Sequence, residues 1–98
     1  VFKEIRIIYS NVVKDELINL FEREKIDKYI NFEGLETVWG EKVKRLNNHI
    51  WPGTDNMLVL IIENEKAQVL ISKLKIIKEN LKEGIELFIL VSPIEEII

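Results

Sequence analysis

Apolar and polar positions divide this chain into six regular segments. The most apolar is Met57 to Ile62 (M-L-V-L-I-I), with no polar alternation, set between W-P-G-T-D-N and E-N-E-K. A short unbroken run bounded by turn and polar signals predicts a strand buried on both faces. Phe2 to Tyr9 alternates instead: Ile5, Ile7 and Tyr9 share one face, and Glu4, Arg6 and Ile8 the other. Ser10 and Asn11 break that pattern, and either can cap a helix. Val12 to Ile26 then repeats at helical spacing, with Val13, Leu17, Leu20, Phe21 and Glu24 in one broad stripe and Ile18 at its edge. Lys28 to Trp39 alternates again and is rich in aromatic and β-branched residues, which predicts a strand. Gly34 interrupts it, as glycine does at a bulge, and Thr37 to Trp39 are expected to continue it beyond the kink.

Residues 40–56 (G-E-K-V-K-R-L-N-N-H-I-W-P-G-T-D-N) carry no periodicity and predict a long loop, with Pro52-Gly53 as a type II turn. Beyond the apolar strand, Asn64 is a candidate cap. Ala67, Leu70, Ile71, Leu74, Ile77 and Leu81 mark the clearest helix, over 67–82, with Gly84 expected to close it. Ile85 to Ser92 is a last strand, apolar on both faces after Glu86, and Pro93 stops it.

Strand, helix, strand, strand, helix, strand is the split β-α-β order of the ferredoxin-like α+β sandwich. It predicts a four-stranded antiparallel sheet, with the first and third strands central and both helices on one face. At 98 residues the whole chain, 1–98, is a single domain. Two helices cover one face of such a sheet, and the other face of a monomer should be polar. Here both parities of 57–62 are apolar, as are both parities of 87–91. Leaving some six large side chains wet would forfeit roughly 9–18 kcal/mol of available burial. Other copies of the chain are therefore expected to cover that face. The alternative cover is the 40–56 loop and the 94–98 tail folding back.

Composition narrows the function classes. A net charge of -3 argues against a nucleic-acid partner. The absence of cysteine removes disulfides, thiol catalysis and thiolate metal sites. No apolar run approaches the ~20 residues of a membrane helix, and the first ten residues, with Lys3, Glu4 and Arg6, do not read as a signal peptide, so no membrane insertion and a cytoplasmic location are expected. No nucleophile sits beside a visible base and no Gly-rich phosphate motif occurs, which points away from an enzyme.

Candidate binding chemistry gathers in the loop. Lys42, Lys44 and Arg45, beside His49, form a possible anion grip, with Arg45 able to bind bidentately. His49 with Glu36, Glu41 or Asp55 is the metal alternative, against a plain turn residue. Trp39 and Trp51 flank the loop and either stack on a flat ligand or anchor the loop to a neighbouring subunit, and Asn56 has an amide to present.

Three features together resemble the P-II-type signalling proteins and their structural relatives, the CutA-type proteins. They are Gly34 and Gly40 near the end of the second strand, the long 40–56 insertion, and the ending P-I-E-E-I-I over 93–98. The resemblance implies a homotrimer with sheets packed face inward and ligand sites between subunits. It also implies a regulatory sensor that binds a small anionic ligand or nucleotide, with an adenine nucleotide as the possible cofactor, and that signals to a regulatory protein target through residues 40–56. On this reading Lys42, Lys44, Arg45, His49, Trp51 and Asn56 are the ligand-binding set. The chain departs from the nitrogen-sensing P-II pattern between the second helix and the last strand. Only Glu83, Gly84 and Ile85 stand where that group has a Gly-rich basic phosphate loop. The W-P-G-x-x-N pattern at 51–56 points to a divergent branch. A CutA-like protein binding a divalent metal, and an interaction module without a ligand, are the alternative readings.

Overall fold

The computed structural model describes residues 1–98. Six strands and two α-helices occur in the order β1 (Phe2–Ser10), α1 (Lys14–Arg23), β2 (Ile30–Leu35), β3 (Thr37–Val38), β4 (Lys44–Arg45), β5 (Asp55–Glu63), α2 (Asn64–Glu79) and β6 (Leu87–Pro93). A single 3-10 turn, Asn11–Val13, leads into α1. Four strands form one sheet in the order β2-β5-β1-β6, every pair antiparallel. The first strand and the apolar strand are thus the central pair, as the segment order predicts.

Register decides which parity meets the helices. Ile5 pairs with Leu60, Ile7 with Leu58 and Tyr9 with Asn56 across β1 and β5. All six are buried and share a face. Val13, Leu17, Leu20 and Phe21 from the first helical segment join them in one core with Ala67, Leu70, Leu74 and Ile77 from α2. Both helices therefore lie on that face. Each presents the stripe read from its 3.6-residue repeat. Lys73 on α2 reaches Glu24 past the end of α1 and ties the helices together.

The opposite face carries the other parity: Ile30 and Phe32 of β2, Met57, Val59 and Ile61 of β5, Ile8 of β1, Phe88 and Leu90 of β6. Ile61 is 54% exposed, Leu90 52% and Ile30 57%. Its polar interruption is the Glu4–Arg6 ion pair of β1, closed at 2.7 Å.

Besides shifts of a few residues at the ends of α2 and β6, local structure departs from the sequence pattern in four places, each for a physical reason. The first is the second strand. It begins at Ile30 and leaves the sheet after Leu35. Phe32 faces Met57 and Leu35 faces Asp55, so the register shifts across Gly34, which sits at φ +74°. Beyond that bulge Thr37 and Val38 do not extend β2. They pair with Arg45 and Lys44 in a separate two-stranded ribbon.

The second is the loop. Residues 40–56 are not irregular throughout, because β4 and the start of β5 fall within them. Third, neither Ser10, nor Asn11, nor Asn64 caps a helix through its side chain. The Asn11 amide is engaged elsewhere, as described below. Fourth, Gly84 does not close α2, which ends at Glu79. It takes φ +86° in the following turn, where Ile85 N–H donates to Lys82 O at 3.2 Å.

Leu58 has no exposed surface and lies at the middle of the core. Leu58→Ala is expected to lower unfolding free energy by about 2–5 kcal/mol with an unchanged denaturant slope. A loss well under 1 kcal/mol in urea melts would show that the core does not sit where described.

Candidate functional site

The ribbon β3–β4 does not project into solvent. It is bound to one end of the sheet by a buried carboxylate. Asp55, the first residue of β5, is 1% exposed and belongs to the face opposite the helices. Its Oδ2 accepts from Thr37 Oγ1 at 2.7 Å and from Trp39 Nε1 at 3.1 Å. Its Oδ1 lies 3.4 Å from Arg45 Nε. Arg45 in turn donates from Nη2 to Gly84 O at 3.2 Å, in the connection before β6. One carboxylate thus joins β3, β4 and β5, and Arg45 extends the network to the start of β6. A buried charge needs such pairing, because leaving it unpartnered is strongly destabilising.

The Trp39 ring completes the attachment. It stacks on Phe88 of β6 with centroids 4.3 Å apart and planes at 29°. Touching β5 through its nitrogen and β6 through its ring, Trp39 crosses over the end of β1, which lies between them. Ile8, Met57 and Phe88 at this end are half-buried, whereas Ile30, Ile61 and Leu90 farther along are exposed. The ribbon therefore covers one end of the apolar face and leaves the rest open. Of the 40–56 loop and 94–98 tail expected as the alternative cover, only Arg45 takes part here, and the covering ring, Trp39, precedes the loop. Trp39 acts as an anchor, and its partner is its own sheet.

A second polar layer supports the ribbon from the helix side. Asn56 is 1% exposed. Its Oδ1 accepts from Gly34 N–H at 3.2 Å and its Nδ2 donates to Asn11 Oδ1 at 2.5 Å. The amide thereby fixes both the bulge in β2 and the turn into α1. Beside it, Tyr9 OH donates to Asn31 Oδ1 at 2.9 Å, Asn31 Nδ2 donates to Glu33 Oε1 at 3.0 Å, and Lys14 Nζ donates to the same oxygen at 2.7 Å. Burial pushes the Tyr9 phenol above its ordinary value, with the nearby Glu33 carboxylate adding to the shift and Lys14 opposing it. The direct bond and the opposite charge raise Lys14 and lower Glu33. That ion pair is exposed and adds little to stability.

The six candidate binding residues therefore do not form one cluster. Lys44 and Arg45 are adjacent on β4 and play different parts. Arg45 turns in to Asp55, while Lys44 Nζ stands 5.2 Å from the Trp51 ring centroid. Lys42 is exposed near the ribbon tip. His49 is exposed in a tight turn closed by Asn48, whose Oδ1 accepts from Ile50 N–H at 3.1 Å and Trp51 N–H at 2.7 Å. Leu46 N–H donates to Trp51 O at 3.0 Å, so residues 46–51 close into a compact loop. Asn56 faces inward with both ends of its amide engaged, and it is a structural residue. Lys42, Lys44, His49 and Trp51 remain at the surface of the ribbon and loop.

For a metal, no group of three or more His, Cys, Asp or Glu side chains is arranged to hold one. Asp55, one of the carboxylates considered beside His49, is already committed to Arg45, Thr37 and Trp39. Asp55 as the hub and Phe88 as its platform are the residues that pattern reading misses. An Asp-Asn pair at the entry of an unbroken apolar strand is the one available signal. No helix is long and apolar enough to cross a membrane.

No protein-family model matches the chain, and no curated protein is similar to it in sequence. Solved structures do match. A PII-like signaling protein from Thermus thermophilus superposes with a TM-score of 0.63 at 18% identity, over 93% of this chain and 84% of that one. CPII, a nitrogen regulatory PII-like protein from Thiomonas intermedia K12 bound to ADP, AMP and bicarbonate, superposes with a TM-score of 0.70 at 16% identity, over 92% of this chain and 88% of that one. The apo form of CPII gives 0.59 at 14% identity, with 93% and 88% covered. The chain has the PII-like fold, and the resemblance read from its segment order holds at that level.

Two expectations test this geometry. In a Trp51→Phe background, Asp55→Ala is expected to cost about 3–5 kcal/mol, since it strands Arg45, Thr37 and Trp39. It should also shift Trp39 emission to the red, and unchanged emission would show the ribbon is held otherwise. Separately, a phenol whose folded value is raised contributes stability below its unfolded value of 10.0, and this is lost as pH rises beyond it. Stability should therefore decline on the alkaline side of that value, and Tyr9→Phe should make the decline shallower in pH-dependent urea melts.

Proposed function

We propose that this chain is a PII-like regulatory sensor. It assembles as a homotrimer through the exposed part of its apolar sheet face. It binds a small anion or an adenine nucleotide in the clefts between subunits, and signals to a protein target through the ribbon and loop of residues 37–54. The observation that carries this reading is the attachment of the ribbon to the border of the open face by Asp55 and Trp39. A segment fixed there abuts whatever packs on that face. Its outer side offers Lys42, Lys44, His49 and Trp51.

Chemically this set suits an anion with a flat ring. Lys42 and Lys44 supply ammonium groups for phosphate or bicarbonate. The Trp51 ring gives a stacking surface, already met by one cation on one side. Arg45 and Asn56 belong to the proposal as positioning residues: Arg45 couples the ribbon to the α2–β6 connection, and Asn56 fixes its root. CPII has the same fold and is bound to ADP, AMP and bicarbonate, which supports this ligand class. The basic Gly-rich connection of the nitrogen-sensing proteins has no counterpart at Glu83 to Ile85. The phosphate contacts are therefore assigned to the ribbon lysines. The proposed role is that of a regulator rather than a catalyst, a reading supported by the signalling and nitrogen regulatory PII-like proteins of the same fold.

Calorimetry and thermal-shift titrations with ADP, AMP, bicarbonate and divalent zinc test the reading. A nucleotide or bicarbonate is expected to stabilise the protein, by about 2.7 kcal/mol at a hundredfold excess over Kd. Lys44→Ala is expected to weaken that binding about tenfold or more. Stabilisation by zinc alone would favour the metal reading. A response to none of these ligands would leave the ribbon as a structural element that completes the sheet.

A further inference from the structure

The outer edge of β6 is an open strand edge with a groove beside it. β6 is an edge strand, paired only to β1. Lys78 Nζ donates to Leu87 O, so the Leu87 carbonyl points away from β1. Strand residues repeat every second position, so Ile89 and Val91 turn their N–H and C=O groups the same way. No backbone bond outside the ladders reaches either one. Between this edge and α2 runs a groove of about 390 Å³, lined by Ile71, Lys75, Lys78, Phe88, Ile89 and Val91. It has four apolar residues, two lysines and no acid. Lys75 and Lys78 form no ion pair.

The same chain displays a segment of matching chemistry. Residues 94–98 read I-E-E-I-I, with Glu95, Glu96 and Ile97 exposed and neither glutamate in an ion pair. In an extended conformation, alternate residues share a side. Ile94, Glu96 and Ile98 form one side, and Glu95 and Ile97 the other. Either side therefore sets a glutamate and an isoleucine against lysine and apolar groups together. The segment does not approach the groove of its own molecule. Ile94 N–H donates to Phe2 O at 3.2 Å, which carries the chain onward past the start of β1. The groove lies back along β6, beside 88–91.

We propose that residues 94–98 of one copy add as a strand to the β6 edge of another copy. Backbone groups of Ile89 and Val91 pair with the incoming strand, isoleucines fill the groove, and Glu95 or Glu96 meets Lys75 and Lys78. Strand addition of this kind takes affinity from main-chain bonds and specificity from alternate side chains. Except for Phe88, whose ring also carries Trp39, the contact lies off the open sheet face and the ribbon, so changes at Lys75, Lys78 and residues 94–98 read it separately from the proposed trimer and ligand site.

The absence of cysteine makes a direct test available. Val91→Cys protein is mixed with size-tagged Ile97→Cys protein under mild oxidation. The mixed disulfide is expected to form about tenfold faster than between Ile97→Cys and Glu22→Cys, whose thiol would sit on the exposed side of α1. Adding K75E and K78E to the Val91→Cys chain should slow it about tenfold, and E95K with E96K in the tagged chain should restore it. K75E alone should act in the same direction, should the double change unsettle α2. Equal rates with both thiol partners, or a rate indifferent to charge reversal, would overturn the proposal.

Discussion

A sheet that is apolar on both faces, served by only two helices, is the constraint on which the rest of this structure depends. Burial of the inner parity of β1 and β5 under α1 and α2 makes the core. The outer parity is equally apolar over β5 and β6, and water is a poor neighbour for it. The fold answers at one end with its own ribbon, folded back and pinned by Asp55. At the other end Ile30, Ile61 and Leu90 remain exposed. The Glu4–Arg6 pair sits among them on the central strand. An interface that closes over these groups must accommodate the pair, which favours one arrangement over a loose apolar association.

The ribbon's attachment reaches the sheet at two places. A single carboxylate collects a hydroxyl, an indole and a guanidinium, and Arg45 passes the connection on to Gly84. Movement of the ribbon therefore has to break bonds at β5 and at the entry to β6 together. Phe88 couples the two sides further, because Trp39 lies against it and Lys78 Nζ stands 5.0 Å from its centroid. A ligand that engages Lys44 or Trp51 acts one residue from Arg45 in the first case, and through a bond to Leu46 in the second.

Most of the fold was legible in the sequence, and the reason is periodicity. Strand parity at Ile5, Ile7 and Tyr9, the stripes at Leu17 to Phe21 and Ala67 to Ile77, and the bulge at Gly34 are local consequences of where side chains point. The site was less legible, because long-range pairs decide it. Asp55 and Trp39 lie 16 positions apart, and Arg45 and Gly84 lie 39 apart. No pattern in either neighbourhood announces the partner. Lys44 and Arg45 look alike in sequence as adjacent cations in a loop, and the pleat of β4 sends one outward and the other to a buried carboxylate. Asn56, read as an amide on offer, is instead taken up by Gly34 and Asn11. The cap positions went the same way: Asn11 is spent on Asn56, and tertiary demand outweighed helix capping.

The exposed part of the sheet face is the claim most open to direct measurement. Native mass spectrometry or sedimentation equilibrium at micromolar concentration is expected to give a particle of three chains, three times 11.6 kDa. Ile61→Lys with Leu90→Lys should reduce it to one chain while leaving its far-ultraviolet circular dichroism intact. A wild-type particle of one chain would contradict the role given to this face. So would a trimer that survives both lysines.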